Sequence, residues 1–364
     1  MNVMWMFGNG FDLRQGLKTS YRDFYASDYV QTNNTNRIYK EIKDNTETWA
    51  DFELALGELS KRVPDLETAI GYGSAQFHTD VMQTYDELRS FIQDAAKKVK
   101  APKDKYTLTL ELDHCFTEAY RVRYHEWMDA ATKSIGEKDY IDVEAATLNY
   151  TTNTRNPLAT TPVFFPDSEY SRVQAKGSIF RKVHGDLTGI VVGCDNVSQF
   201  DTAVFDGLDF LILKETICDG LGNERMRFLT SINYTHLFLL FGLSLGATDG
   251  SYWRAIINRL ANNSNTRAVI FDYRPAPAIE PHDHYRRRYY ESDVAHNASS
   301  KVVTKRFLAY ADSKIDKRKK ERIEKEQILV AHKFEDLFVP SSNCVNTVSK
   351  MTAAPARAPE LATA

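Results

Sequence analysis

The chain opens on a short apolar run, Met1 to Phe7, that ends at once in Gly8-Asn9-Gly10-Phe11-Asp12 and continues through Gly16-Leu17-Lys18-Thr19-Ser20-Tyr21-Arg22-Asp23-Phe24. A buried strand that stops in a Gly-x-Gly turn lets backbone N–H groups approach a phosphate or a ribose, which is how open α/β folds bind nucleotides. A tight turn after any strand also needs glycine for steric reasons, so the turn alone leaves both readings open.

The remaining sequence supports an α/β reading. Ser20 and Asp23 have capping-box spacing, and Tyr21, Phe24, Tyr25 and Tyr29 follow at helical intervals, predicting a helix over 20–31. Residues 32–46 read as a loop. Trp49, Phe52, Leu56, Leu59 and Val63 form one helical stripe with Glu53 on its flank. Two long helices are expected over 67–100 and 106–135, the first presenting Phe77, Val81, Tyr85, Leu88 and Ile92, the second Phe116, Tyr120, Tyr124 and Trp127. Consecutive helices interrupt a βαβ alternation, so they read as an inserted helical layer.

Strands are expected at Tyr140–Leu148, ending at Asn149, at Ile179–Val183, ending at His184, and at Ile190–Val192. Residues 150–176, with Pro157, Pro162 and Pro166, read as a long loop. Leu237–Phe241 is an apolar strand closing on Gly242-Leu243-Ser244-Leu245-Gly246; Ser251 can cap a helix over Tyr252–Leu260, and Ala268–Tyr273 follows as a strand. The expected organisation is a Rossmann-like, mainly parallel nucleotide-binding domain from residues 1–31 and 140–275, with a helical insertion at 32–139. A charged helical region at 276–339, containing Arg286-Arg287-Arg288 and the run Lys314 to Lys325, precedes a flexible tail at 340–364.

Composition narrows the partners. A net charge of −3 over 364 residues gives no broad attraction to nucleic acid or to an anionic membrane. Cys115, Cys194, Cys218 and Cys344 are widely separated, with no Cys-x-x-Cys pair, and are expected to be reduced and buried. No basic and apolar leader opens the chain, and no window approaches about 18 apolar residues. A cytoplasmic protein is expected.

Taken in order, the opening residues resemble the signature of the AbiH family of bacterial phage abortive-infection proteins: Gly8-Asn9-Gly10-Phe11-Asp12, Gly16-Leu17, Thr19-Ser20-Tyr21 and Asp23-Phe24. Further blocks agree: Trp49-Ala50-Asp51-Phe52-Glu53, Leu148-Asn149-Tyr150-Thr151, Val183-His184-Gly185, and Gly242-Leu243-Ser244-Leu245-Gly246 with Asp249. That family in turn resembles the sirtuin-like domains of bacterial defence proteins, many of which cleave NAD. Deacetylating sirtuins carry a four-cysteine zinc module that is missing here.

The resemblance implies a phage-defence effector that takes NAD as substrate with no metal. The expected partners are a nucleotide ligand, a phage-derived trigger and a second copy of the chain in a homo-oligomer. Cleaving the nicotinamide–ribose bond passes through an oxocarbenium-like state, which asks for positioning and charge shielding. Asn149 would hold the ribose hydroxyls or the attacking water, and His184 would accept a proton. Gly8, Asn9 and Gly10 would line the pyrophosphate or ribose, with Asp12 accepting from a hydroxyl or capping a turn. Gly242, Ser244 and Asp249 would meet the adenosine half. Glu53 is expected to support the fold or the site.

Competing readings are a nucleotide-sensing module that signals through its helical insertion and a metal-dependent nuclease or phosphoesterase. Gly242-x-Ser244-x-Gly246 has nucleophile-elbow spacing, but nothing after Asp249 singles out an acid and histidine for a serine hydrolase. His282-Asp283-His284 lacks a third metal ligand at a defined spacing, and Asn233-Tyr234-Thr235-His236 precedes a strand and reads as a loop.

Overall fold

The computed structural model describes residues 1–33, 35–42, 49–98, 106–108, 110, 112–133, 140–149, 151, 158–160, 175–186, 189–220, 222–273, 288, 292–332, 334 and 337. Its strands are β1 (Asn2–Phe7), β2 (Tyr106–Leu108), β3 (Ile141–Thr147), β4 (Leu158–Thr160), β5 (Ala175–Lys182), β6 (Gly185–Asp186), β7 (Gly189–Ile190), β8 (Leu237–Phe241), β9 (Arg267–Phe271) and β10 (Ile328–Ala331). Six of them form one sheet in the spatial order β10-β9-β8-β1-β3-β5, with every adjacent pair parallel. From β1 the chain lays down β3 and β5 on one side, then returns to place β8, β9 and β10 on the other. The winding reverses between β1 and β8, and in open parallel sheets ligands bind at the crevice of such a reversal.

Side chains alternate along a strand, and here both faces are covered. Val3, Trp5 and Phe7 of β1 join a core shared with Tyr124, Trp127 and Met128 of the helix Glu118–Lys133. Met4 and Met6 join another, built with the helices Glu224–Ile232, Gly250–Asn262 and Asp293–Leu308 through Phe228, Trp253, Ile256 and Phe307. This two-sided burial is why β1 and β8 read as unbroken apolar runs. The α/β, Rossmann-like fold with a parallel sheet is as expected, and a helical layer packs its own core. There Phe52, Leu56, Leu59 and Val63 of the helix Trp49–Ile70 meet Phe77, Val81 and Leu88 of the helix Ser74–Lys98.

Several local expectations are corrected. The helix predicted over 20–31 is two short ones, Tyr21–Tyr25 and Asp28–Gln31, because Ser27 starts a new turn; the Ser20–Asp23 capping box is present. Arg37–Glu41 is helical within the expected loop. The predicted 67–100 helix is divided by Gly71, which has φ +72°. The predicted 106–135 helix contains β2 and a 3₁₀ turn at Asp113–Cys115 before Glu118 starts the helix. Leu108, Leu110 and Leu112 recur every second residue, a strand-like period that the helical stripe of aromatic residues masked. Ile190–Val192 does not extend the main sheet, since β7 pairs antiparallel with β6. Ser251 lies inside its helix, which begins at Gly250; the Asp195 carboxylate accepts the Ser251 N–H at 2.9 Å.

The charged C-terminal region supplies β10 to the sheet edge and Phe334 and Leu337 to a core. Within the expected 150–176 loop, Leu158–Thr160 is strand β4 and β5 begins at Ala175; the rest of that segment apart from Thr151, together with Arg286, Arg287, His282, Asp283, His284, Cys344 and the 340–364 tail, lies outside the described residues. Among the described residues, Cys115, Cys194 and Cys218 are buried thiols outside any disulfide. Among the described residues, no helix is long and apolar enough to cross a membrane.

Candidate functional site

Strand register sets the site. Phe7 pairs with Thr147 on one side and Phe241 on the other, and Thr147 pairs with Lys182. The loops after β1, β3, β5 and β8 therefore leave the carboxyl edge side by side. They deliver Gly8, Asn9, Gly10 and Asp12, then Asn149, then His184, then Gly242 and Ser244. With Asp249, all nine line one cavity of about 450 Å³, within the size range of small-molecule sites.

The glycines allow two loops to touch. A Cβ on Gly8 would fall 2.4 Å from Gly242 O; one on Gly10, 2.6 Å from Gly242 Cα; and one on Gly242, itself at φ +66°, 2.6 Å from Phe11 N. Gly8 N–H donates to Phe241 O at 2.9 Å and Gly10 N–H to Gly242 O at 3.0 Å. Two N–H groups expected to face a phosphate are thus engaged with the β8 loop. Phe11 packs on Phe7 and Phe241 with ring centroids 4.7 and 6.2 Å away, drawing the neighbouring Asp12 inside. Asn9 ties the turn to the next loop: Thr19 Oγ1 donates to Asn9 Oδ1 at 2.7 Å, and Asn9 Nδ2 donates to Thr19 O at 3.2 Å.

Asn149 and Asp12 meet at the inner wall. Asn149 Nδ2 donates to Gly8 O at 2.9 Å, which sets the amide's orientation, and Asn149 N–H donates to Thr147 Oγ1 at 3.0 Å. Thr151 Oγ1 donates to Asp12 Oδ2 at 2.7 Å. Asn149 Oδ1 and Asp12 Oδ1 are buried and accept no hydrogen bond among the described residues. Burial pushes the Asp12 carboxyl up to about 7, against the Thr151 hydroxyl and the nearby Asn149 side chain, which pull it down. Two acceptor oxygens without donors on a cavity wall suit a ligand that brings O–H groups.

His184 is backed by a buried charge network. Its Nε2 lies 3.3 Å from Asp249 Oδ1, and Lys214 Nζ donates to Asp249 Oδ1 at 2.7 Å, to Glu53 Oε2 at 2.9 Å and to Thr248 O at 3.0 Å. Glu53 also accepts from Thr248 Oγ1 at 2.6 Å and from Gly193 N–H at 3.1 Å. Burial opposes every charge here. It raises Glu53, but Lys214 and His184 outweigh it at Asp249, which is held below the usual carboxylate range. The two carboxylates likewise hold the Lys214 ammonium above its ordinary range despite burial. A charge cluster of this kind resists rearrangement, because removing one partner strands the others. Glu53 is thus a supporting group, and Lys214 is one that sequence reasoning missed: a lysine opening the helix Lys214–Gly220 carries no local mark of burial.

A second polar set lies nearby. Ser300 Oγ is 2.8 Å from His332 Nε2, and His332 Nδ1 is 3.5 Å from Asp272 Oδ2. The residue types are those of a hydrolytic triad, but Ser300 is buried in mid-helix with Oγ donating to His296 O at 2.9 Å. The set pins the helix Asp293–Leu308 to β9 and β10.

The family model described as "Bacteriophage abortive infection AbiH" matches residues 4–272, covering the four strand-end loops, Glu53 and Lys214. A search among curated proteins finds no match. With most of its length matched, the chain belongs to the AbiH family of bacteriophage abortive infection proteins.

Proposed function

We propose that this AbiH chain binds NAD in the cavity at the β1–β8 reversal and hydrolyses its nicotinamide–ribose bond, as an effector of abortive infection. The observation that carries the reading is the convergence of Asn149 and His184, from the ends of neighbouring strands β3 and β5, on that one cavity. Asn149 Oδ1, aimed by the Gly8 carbonyl, accepts from a ribose hydroxyl or from the attacking water. Asp12 accepts from a further hydroxyl. His184 takes the proton released, and Asp249, held by Lys214, compensates the charge on the ring without reorganising. Asp249 thereby serves His184 instead of the adenosine half, leaving Gly242 and Ser244 to that end. Gly8, Asn9 and Gly10 form the wall along the ribose and pyrophosphate. The proposal includes turnover without a metal, a cytoplasmic homo-oligomer and a phage-derived trigger.

The test is nicotinamide release from NAD by the purified chain. Asn149→Ala and His184→Ala are each expected to lower turnover by at least about 100-fold while unfolding remains cooperative. Full activity in either variant would remove that residue from the site. A sensing role is the second reading. Tyr21, Glu53 and Ile92 carry the helical layer into the cavity wall, so a bound ligand would touch the layer that could pass a signal. NAD binding with no turnover under any condition would favour it.

A further inference from the structure

A dinucleotide brings two phosphates, and the described wall offers them little positive charge. Gly8 and Gly10 N–H are engaged, and the Ser251 N–H at the start of the helix Gly250–Asn262 already meets Asp195. The wall is rich in carboxyls: Asp12, Glu53, Asp249 and Asp272. Among its described residues, Arg306 is the one Arg or Lys.

Arg306 is placed by packing. Its helix, Asp293–Leu308, is fastened to the Gly242–Gly246 loop by Tyr310, whose hydroxyl donates to Leu245 O at 2.9 Å. Phe307 is fully buried beside Trp253, with ring centroids 6.4 Å apart. Val303, one turn before Arg306, also lines the cavity. Arg306 itself is exposed at the rim, and its guanidinium makes no hydrogen bond or ion pair with any described residue. Asn149 and His184, at 4% and 3% exposure, mark the inner end. The cavity is therefore polarised, with Asp12 and the lysine-paired carboxylates Glu53 and Asp249 inside and a guanidinium outside.

Resting on the nucleotide reading above, we infer that Arg306 anchors the diphosphate of the ligand, so that the segment beyond the family-matched residues completes the binding site. A planar guanidinium presents paired donors that match phosphate oxygens, an arrangement stronger than a neutral hydrogen bond.

Calorimetric titration of the full chain and of Arg306→Ala with ADP-ribose and with adenosine tests this. Affinity for ADP-ribose is expected to fall about tenfold in the variant, about 1.4 kcal/mol, with adenosine affinity and melting temperature as in the intact chain, and Arg306→Lys is expected to recover part of the loss. Equal ADP-ribose affinity in the variant, an equal loss for adenosine, or no ADP-ribose binding by the intact chain would each overturn the anchor. Arg306-dependent ADP-ribose binding without NAD turnover would overturn hydrolysis and keep the anchor. NAD turnover with Arg306-independent ADP-ribose affinity would do the reverse.

Discussion

Asp12 accepts from the Thr151 hydroxyl, lies beside the Asn149 side chain and is buried. Its carboxyl ordinarily titrates at 3.8 and in the fold is pushed up to about 7 by burial. Between those values the folded chain keeps a proton that the unfolded chain has lost. The group's contribution to stability is therefore full below pH 3.8 and is lost as pH rises through about 7, a change of at most roughly 4 kcal/mol. Asp12→Asn keeps an acceptor for Thr151 and removes the titration. Denaturant unfolding at pH 5 and pH 8 should show the intact chain losing about 2–3 kcal/mol more than the variant over that interval; identical losses would show that Asp12 is not held neutral. At this scale ordered motifs marked Asn149 and His184 as strand-end residues, and the fold brings both to one cavity wall. Lys214 was not legible, because its burial is produced by Glu53 and Asp249, 161 and 35 residues away in the chain.

The glycine loops show how strand register makes a site. Gly8, Gly10 and Gly242 let the ends of β1 and β8 touch, and a side chain at Gly242 would meet Phe11 N at 2.6 Å with φ at +66°. Gly242→Ala is expected to cost about 2–3 kcal/mol and to weaken ligand binding by parting the loops. Thermal unfolding checks the first and ADP-ribose titration the second, and unchanged values would show that the loops separate freely. Strands buried on both faces, β1 and β8, were legible because a parallel sheet demands continuous apolar residues there. The 106–135 segment was misread as a helix because its aromatic spacing was strong while the alternation of Leu108, Leu110 and Leu112 was short. The Ile328–Ala331 strand went unseen because its four residues follow a charged helix and acquire strand character only from pairing with β9.

In the whole molecule the segment 292–332 is structural as well as lining the cavity. β10 covers the edge of β9, and Phe307, Leu329 and Val330 are fully buried. A chain ended after Tyr273 would expose that edge and both cores, and edge strands left bare pair with other chains. It is expected to aggregate or lose its cooperative melt; a soluble, cooperatively folding product on size exclusion and thermal scanning would show that residues 4–272 stand alone.

On the proposed function, Asn149 and His184 form one NAD-cleaving centre at the β1–β8 reversal. The most direct measurement follows nicotinamide and ADP-ribose production from NAD by the intact chain and by His184→Ala, with ADP-ribose affinity measured on both. On that proposal, turnover by the intact chain, loss of turnover in the variant and similar ADP-ribose affinity in the two are expected. Equal turnover in both, or none in the intact chain with or without phage lysate, would contradict it.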